Sequence, residues 1–374
     1  MRMKSTNFKF KLGLFIPGTL LTCAFANAQY TYEIEKPGHF IFVNELKKCA
    51  QNPKNDITAS IKNTNNLTDW VHQNCQLLKE PKGFDAHVSI SGSLCNEDNT
   101  KAWNYGVQSY FNIAFNYFYI ENGVHHTATG WSAHSTRFNI NQPISFISTP
   151  FDEVEFKSGN PPHLKEPFEK ALAHLKAYYR TMPVLKEIGP GVRLYGATAG
   201  SWFTGNILVF NPDRPDIWKP VTVDEIMKAQ LDYYKIKEEI DSIEQDVMLK
   251  EWKKMGFTPD ESQKMTTSVY KEMKKEYEAF TSEELNQWAY ADSDETVSMI
   301  NAEGKGMPVV TFNPECWDKS LPTSAVQFIS IEYRLTSESL LEEFRQKNQG
   351  LTDYVGLFFN QLPVEKMGIL IQKK

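Results

Sequence analysis

The clearest pattern of apolar and polar positions along the chain is an alternation with a period of two over residues 105–119. The odd positions are mostly apolar or aromatic, and the even positions are mostly polar. Successive side chains of a strand point to opposite faces of a sheet, so this alternation predicts a long strand with one apolar face. The strand leads into Asn122-Gly123, a strong hairpin signal, and a second strand is expected from Val124.

Weaker patterns of the same two kinds predict the other elements. Apolar runs and alternations predict further strands at 85–95, 192–198, 206–210, 297–300, 309–312, 325–335 and 367–371. Apolar positions three and four residues apart predict helices at 40–51, 66–78, 166–182, 338–349 and 351–362. The Pro-rich stretch 211–220 is expected to be a linker.

The composition changes after residue 221, where 20 acidic residues and 10 lysines fall between positions 222 and 303. Three Thr-x-x-Glu capping boxes mark helix starts in this region, at Thr222, Thr258 and Thr281. The first helix carries an apolar stripe, spaced by three and four residues, over 226–247. A second helix over 259–280 is expected to fold back on it as a long hairpin with an acidic outer surface.

These elements predict an α+β fold, with antiparallel sheet segments in the N- and C-terminal parts and the long helical hairpin inserted between them. The expected regions are a signal peptide, an N-terminal α+β region, an acidic helical hairpin and a C-terminal α+β region, at 1–28, 29–220, 221–295 and 296–374. The short connection near Gly256 favours packing of the helical stripe within one chain over a coiled coil between chains. We therefore expect a monomer.

Residues 1–28 have the pattern of a secretory signal peptide. An apolar stretch and the cleavage site Ala26-Asn27-Ala28 follow the basic residues Arg2, Lys4, Lys9 and Lys11. A lipoprotein anchored through Cys23 is the alternative, but Thr22 fits poorly where such an anchor needs a small residue. We expect export to the periplasm, cell surface or medium, with cleavage near Ala28. Beyond it no apolar run approaches the roughly 18 residues that cross a bilayer, so no membrane span is expected.

Removal of the signal changes the charge balance. Four basic residues are lost, which lowers their number from 40 to 36 against 46 acidic residues and takes the net charge from −6 to about −10. A strongly acidic chain has the wrong sign for binding a phosphate backbone. Nucleic acid is therefore excluded as a general partner.

An even number of cysteines remains after the signal, namely Cys49, Cys75, Cys95 and Cys316. In an oxidising compartment this predicts at least one disulfide, although four cysteines allow three connectivities. Cys49 and Cys75 would lie on the buried faces of two short helices, which weakly favours a bond between them. The alternative is that they are unpaired apolar residues of a core.

No nucleophile elbow, P-loop, dinucleotide fingerprint, H-E-x-x-H or EF-hand motif occurs in the sequence. No catalytic residue and no cofactor is therefore predicted. His126 and His134 suggest a metal site, but a two-residue turn places them opposite Tyr119 and Phe111. Those positions are eight residues apart, about 27 Å along a strand, which excludes a shared metal ion.

The same register gives a candidate binding site on the even, polar face of the hairpin. Trp131 would lie opposite Ala114 between amide side chains, and this combination offers stacking and neutral hydrogen bonds to a sugar ring or an extended peptide. The candidate ligand-binding residues are Trp131, Tyr110, Asn112, Asn116, Gln108 and Arg137. The alternative is that the helix 166–182 covers this face and Trp131 packs beneath it.

Two classes of function stay open. An exported binding or interaction protein, with a glycan, peptide or protein partner, is favoured by the helical hairpin and the aromatic-polar face. The alternative is a secreted hydrolase acting on glycan or peptide, whose residues converge only in the fold. A cleft with two carboxylates at catalytic distance would favour the hydrolase, and a flat open face would favour binding.

Overall fold

The computed structural model describes residues 30–44, 57–91, 105–129, 134–142, 147–148, 155–199, 202–256, 268–291, 300–336, 341–342, 346 and 352–373. The fold is α+β, with largely antiparallel sheets and a long helix between the sheet parts, which confirms the predicted fold class. The strands are β1 (Tyr30–Tyr32), β2 (Phe40–Asn44), β3 (Phe84–Ser91), β4 (Ser109–Glu121), β5 (Val124–Thr127), β6 (His134–Ile140), β7 (Ile147–Ser148), β8 (Tyr178–Thr181), β9 (Val184–Gly189), β10 (Val192–Ala199), β11 (Trp202–Phe210), β12 (Trp218–Pro220), β13 (Tyr290–Ala291), β14 (Ile300–Asn301), β15 (Met307–Phe312) and β16 (Phe328–Thr336). The α-helices are α1 (Ile57–Asn74), α2 (Gln76–Lys79), α3 (Lys165–Leu175), α4 (Val223–Lys254), α5 (Val269–Ala279), α6 (Ser282–Leu285) and α7 (Tyr354–Gln361).

The larger sheet, called here the main sheet, has ten strands. Its path is β2-β3-β4-β6-β16-β11-β10-β9, and β1 and β5 pair with the far end of β4. Strand β16 comes from the C-terminal part of the chain but lies between β6 and β11. The two predicted sheet regions on either side of the helices therefore join in one sheet. Of its described strand pairs, β2–β3 is parallel and the others are antiparallel.

Strand β4 follows the alternation in the sequence. Phe111, Ile113 and Phe115 are fully buried, while the even residues between them are half-buried. Asn122 and Gly123 have φ values of 51° and 81°, and both are positive as a type I′ turn requires. The predicted hairpin from β4 to β5 is thus confirmed.

The smaller sheet has six strands, in the order β14-β13-β15-β8-β7 with β12 paired to β15. It lies over one face of the main sheet, and the core between the two sheets contains Tyr195, Trp218 and Phe328. The other face of the main sheet packs against α1 and α7 through residues such as Leu67 and Phe358.

Adjacent residues of β15 show that the smaller sheet is also packed on both of its faces. Val310 belongs to the core between the sheets, whereas Val309 packs in a helical core with Phe168 of α3 and Ile226 and Tyr233 of α4. The molecule is therefore layered in the order helix, main sheet, smaller sheet, helix.

Two of the predicted capping boxes are confirmed. The Thr222 amide donates to the Glu225 carboxylate at 2.8 Å, and the Glu225 amide donates to the Thr222 hydroxyl at 3.3 Å, which starts α4. Thr281 and Glu284 make the same reciprocal pair at the start of α6. The box at Thr258 lies outside the described residues.

Helices α4 and α5 run antiparallel, as the predicted hairpin requires. The Ser268 hydroxyl, at the start of α5, donates to the Glu238 carboxylate at 2.5 Å. The Tyr277 hydroxyl, near the end of α5, donates to Asp224 at 2.7 Å. The second helix therefore runs back toward the N-terminal end of α4.

The apolar stripe of α4 is buried over only part of its length. Ile226, Tyr233 and Ile240 are buried, but Val247 is 55% exposed. Val269, at the start of α5, is 40% exposed. Although α4 is long, no helix among the described residues combines the length and apolarity needed to cross a membrane.

Two N-terminal predictions are wrong. Residues 40–44 form strand β2 and not the start of a helix, because their backbone pairs with β3 in parallel. Helix α1 begins at Ile57, well before the predicted start near Asn66. Val71 and Cys75 are nevertheless buried, as their helical spacing indicated.

Only the first part of the helix predicted over 166–182 is helical, because tertiary packing makes its last residues a strand. Helix α3 ends at Leu175, and the following residues form β8, which pairs with β15. The side chains of Tyr178 and Tyr179 then enter different cores, the first among the helices and the second between the sheets. Helix α3 packs on the smaller sheet, so it does not cover the polar face of the main sheet.

Three predictions toward the C-terminus need correction. The supposed linker 211–220 contains β12, whose Trp218 is buried. Strand β16 begins at Phe328, and the terminal strand 367–371 lies instead in a 3₁₀ helix, Val364–Leu370. Met367 and Leu370 both pack on the helix-covered core, a spacing of three that suits that helix. Helix α7 confirms the helix predicted over 351–362.

The predicted disulfide between Cys49 and Cys75 is not present, because Cys75 is a free, buried thiol. Cys316 is also free, while Cys49 and Cys95 lie outside the described residues. Burial raises the pKa of the Cys75 thiol, and it raises the pKa of Cys316 to about 12. Cys75 therefore behaves as an unpaired apolar core residue, which was the alternative interpretation for it, and the half-buried Cys316 packs against the core between the sheets.

Candidate functional site

The even-numbered residues of β4 occupy the face of the main sheet that looks away from α1 and α7. Tyr110, Asn112 and Asn116 lie on this face and are half-buried. We call it the polar face. Gln108 does not join them, because it precedes β4 and is only 8% exposed.

The register between β4 and β6 differs from the predicted one. His134 lies opposite Phe115 and not Phe111, and Ala114 lies opposite Ser135 and not Trp131. The chain leaves the ladder after β5 ends at Thr127 and rejoins it at β6, which shifts the pairing by four residues. Trp131 itself lies outside the described residues.

The corrected register keeps Arg137 on the polar face and places it directly opposite Asn112. Pairing continues across neighbouring strands without a break. One row of directly opposed residues crosses six strands, from β3 to β10: Ser89, Asn112, Arg137, Glu332, Asn206 and Tyr195. Directly opposed residues have Cβ atoms about 4.5–5.5 Å apart, so successive members of this row are neighbours on one face of the sheet.

Arg137 is the central cation of the row. Its Cζ lies over the Tyr110 ring, 3.9 Å from the centroid, in a cation–π contact. Its Nε is buried, and no residue in the described part of the chain accepts a hydrogen bond from it. A buried donor without an acceptor costs about 1–3 kcal/mol, and a ligand oxygen would remove that cost.

Glu332 is the carboxylate next to Arg137 in the row. It accepts a hydrogen bond from the Asn139 amide at 2.8 Å. Asn139 and Asn206 are both almost fully buried, and the Asn206 amide lies 3.6 Å from the Met182 sulfur just after β8. The row is therefore covered by the smaller sheet at its β11 end, whereas its β4 end is partly accessible.

Sequence reasoning missed Glu332, Asn139 and Asn206. The alternation in β16 already placed Glu332 between two apolar residues, Ile331 and Tyr333, so its outward-facing position had a local signal. Nothing local indicated that β16 would lie beside β6, because the two strands are almost two hundred residues apart in the chain. The pairing of Arg137 with Glu332 is purely tertiary.

The histidines lie on the opposite, apolar face. His126 stacks on Tyr119 with ring centroids 5.2 Å apart, as predicted, and His134 lies 5.5 Å from the Tyr117 ring. Within the described residues no group of three or more His, Cys, Asp or Glu side chains has the geometry of a metal site.

Comparison with protein-family models, with curated proteins and with solved structures finds no match to this chain.

Proposed function

We propose that this chain is an exported binding protein whose polar face binds a glycan carrying a carboxylate. The observation that carries the proposal is Arg137, whose guanidinium lies over the Tyr110 ring with its Nε unsatisfied by the described residues. A planar guanidinium matches a carboxylate in a bidentate geometry, and such charge-assisted hydrogen bonds are among the stronger ones in proteins.

The position of the face within the sheet favours a glycan over an extended peptide. Strand β4 is paired on both sides by β3 and β6, so its backbone groups are already used. A peptide therefore cannot add to the sheet as a further strand at this place. The ligand must be recognised by side chains, which suits sugar hydroxyls and carboxylates.

The neighbouring amides suggest the length of the ligand. Asn112 and Asn116 lie on the same face of β4, four residues apart, or about 13 Å at roughly 3.3 Å per residue. A ligand that reaches Arg137 and both amides is therefore longer than one sugar ring. Amide side chains both donate and accept, as hydroxyl groups require.

Export is part of the proposal and rests on the signal pattern of residues 1–28. A hydrolase is the second class of function, and it would need two converging carboxylates. The six-residue row contains one, Glu332, which is engaged by Asn139. Binding is therefore the function that the polar face supports best.

The test is titration calorimetry with trigalacturonic acid, its neutral galactose counterpart and a glutamate-rich peptide. Arg137→Met keeps an apolar stem against Tyr110 and removes the guanidinium, so affinity for the acidic trisaccharide should fall by about tenfold or more. Glu332→Gln removes a repulsive neighbouring charge and should raise that affinity.

Arg193→Met is the matched control, because the Arg193 guanidinium is already paired with Glu187 and Asp216. It should leave binding unchanged. Binding of the neutral trisaccharide that Arg137→Met weakens equally, preference for the peptide, or no effect of Arg137→Met on the acidic trisaccharide would each overturn the proposal.

A further inference from the structure

Trp288 lies in the connection between α6 and β13, and backbone pairing holds this segment against the start of α4. It forms a bridge with Thr222 at the start of α4, and the next residue, Ala289, donates its amide to the Val221 carbonyl at 2.8 Å. The side chain is nevertheless 55% exposed, whereas Trp218 and Trp317 are buried. A rigid backbone thus presents a large indole to solvent.

Trp288 forms part of an open pocket of about 550 Å³, which lies between residues 286–290 and the turn at 302–304. Its other lining side chains include Asn286, Gln287, Tyr290 and Glu303. The volume falls within the range of roughly 300–1,000 Å³ that is typical of small-molecule sites.

The turn opposite Trp288 is held by its own hydrogen bonds. The Asn301 side-chain oxygen accepts from the Glu303 amide at 3.1 Å, and its amide group donates to the Lys305 carbonyl at 2.9 Å. Gly304 has a φ of 72°, a conformation that favours glycine. Both walls of the pocket are therefore preformed, which lowers the entropic cost of binding.

We propose that this pocket binds one sugar ring of a neutral glycan, with the ring stacked on Trp288. The apolar C–H face of a pyranose is complementary to an exposed indole, and the amides of Asn286 and Gln287 can donate to and accept from its hydroxyls. Lys305 pairs with Glu303 at the turn, and α6 adds two further acidic residues, Glu283 and Glu284. This charge pattern disfavours an anionic ligand.

The site is distinct from the Arg137 site in position and in ligand chemistry, so neither proposal depends on the other. The probes are the neutral hexasaccharides cellohexaose, maltohexaose, mannohexaose and N-acetylchitohexaose. Binding is measured by calorimetry and by the change in tryptophan fluorescence at millimolar ligand concentration.

At least one hexasaccharide should bind, and Trp288→Ala should weaken that binding by about tenfold or more, because it removes the ring on which the sugar stacks. Trp288→Phe should retain part of the affinity, and Asn286→Ala should lower it severalfold. Ile369→Ala, at an exposed apolar residue elsewhere, is the matched surface control and should change nothing.

Arg137→Met should leave this binding unchanged, which separates the two sites. The melting temperature of each variant is measured in parallel, and Trp288→Phe and Asn286→Ala carry the test if Trp288→Ala does not fold. The proposal is overturned if none of the four hexasaccharides binds, or if binding survives unchanged in the folded Trp288 and Asn286 variants.

Discussion

The position of His134 in β6 changes the pKa of its side chain. It begins β6 on the apolar face, where its ring packs near Tyr117 and its Nδ1 is buried without a partner among the described residues. Burial lowers the pKa of His134 from its ordinary value of about 6.5, and the nearby Asp353 carboxylate acts in the opposite direction with a smaller effect.

The lowered pKa of His134 predicts a loss of stability on the acid side. The unfolded chain binds the proton more readily than the folded chain, so the contribution of neutral His134 is complete above about pH 6.5 and is lost as the pH falls toward the folded pKa. His134→Phe keeps a ring and removes the proton site. Urea unfolding at about pH 7.5 and about pH 5 should therefore show the variant gaining stability relative to the natural protein as the pH falls.

His163 provides the control, because it is exposed in the 3₁₀ turn before α3. His163→Gln should show the same pH dependence as the natural protein. A constant stability difference between His134→Phe and the natural protein at both pH values would contradict the role of His134.

Helix α4 shows that apolar residues with one regular spacing can contribute differently to stability along a single helix. Its stripe has the same spacing from Ile226 to Val247, yet burial ends before the last of these residues. The described neighbours pack on the N-terminal half, because α5 extends only from a contact near Glu238 to one at Asp224. The C-terminal part of the stripe has no comparable cover among the described residues.

Ile240→Asp and Val247→Asp form a matched pair on this stripe. Ile240 is 4% exposed, so Ile240→Asp buries an unpaired charge and should lower the free energy of unfolding by about 3 kcal/mol or more. Val247→Asp places the charge in solvent and should change it by less than about 0.5 kcal/mol. Urea unfolding measures both changes.

Light scattering on the same variants tests the predicted monomer. Both should have the mass of one chain, as should the natural protein. A natural dimer that Val247→Asp dissociates would mean that the exposed part of the stripe joins two chains as a coiled coil.

At the scale of the whole molecule, the main sheet is shared by two cores. Cys75 lies in the core between this sheet and the helices, and Cys316 packs against the core between the two sheets. Because the same strands form one wall of each core, we expect the two cores to unfold together.

Alkylation of the two free thiols tests this coupling. Cys75 is buried and should react in the native protein only when the shared sheet opens, whereas the half-buried Cys316 should react faster. If the two cores unfold together, both thiols should become fully reactive at the same denaturant concentration, without reductant. Peptide mass spectrometry over time measures each site. Full reactivity of Cys316 at a lower denaturant concentration than that of Cys75 would show that the core between the sheets opens separately, and protection of Cys75 in denaturant would place it in a disulfide.

The amino-acid sequence by itself determined the features that depend on neighbours a few residues away. The alternation in β4, the turn at Asn122-Gly123, the caps at Thr222 and Thr281 and the α+β class were all predictable, because local sterics and short-range hydrogen bonds govern them. The positions of Tyr110, Asn112 and Asn116 on one face followed from the same rule.

Only the tertiary structure decided which strands meet. Residues 40–44 and 178–181 became strands because partners distant in the chain, β3 and β15, were available to pair with them. The insertion of β16 beside β6 created the pairing of Arg137 with Glu332, and the point at which β6 rejoins β4 shifted the register by four residues. Strand pairing joins backbone groups that are far apart in the sequence. The local pattern of side chains therefore does not indicate which strand the partner is.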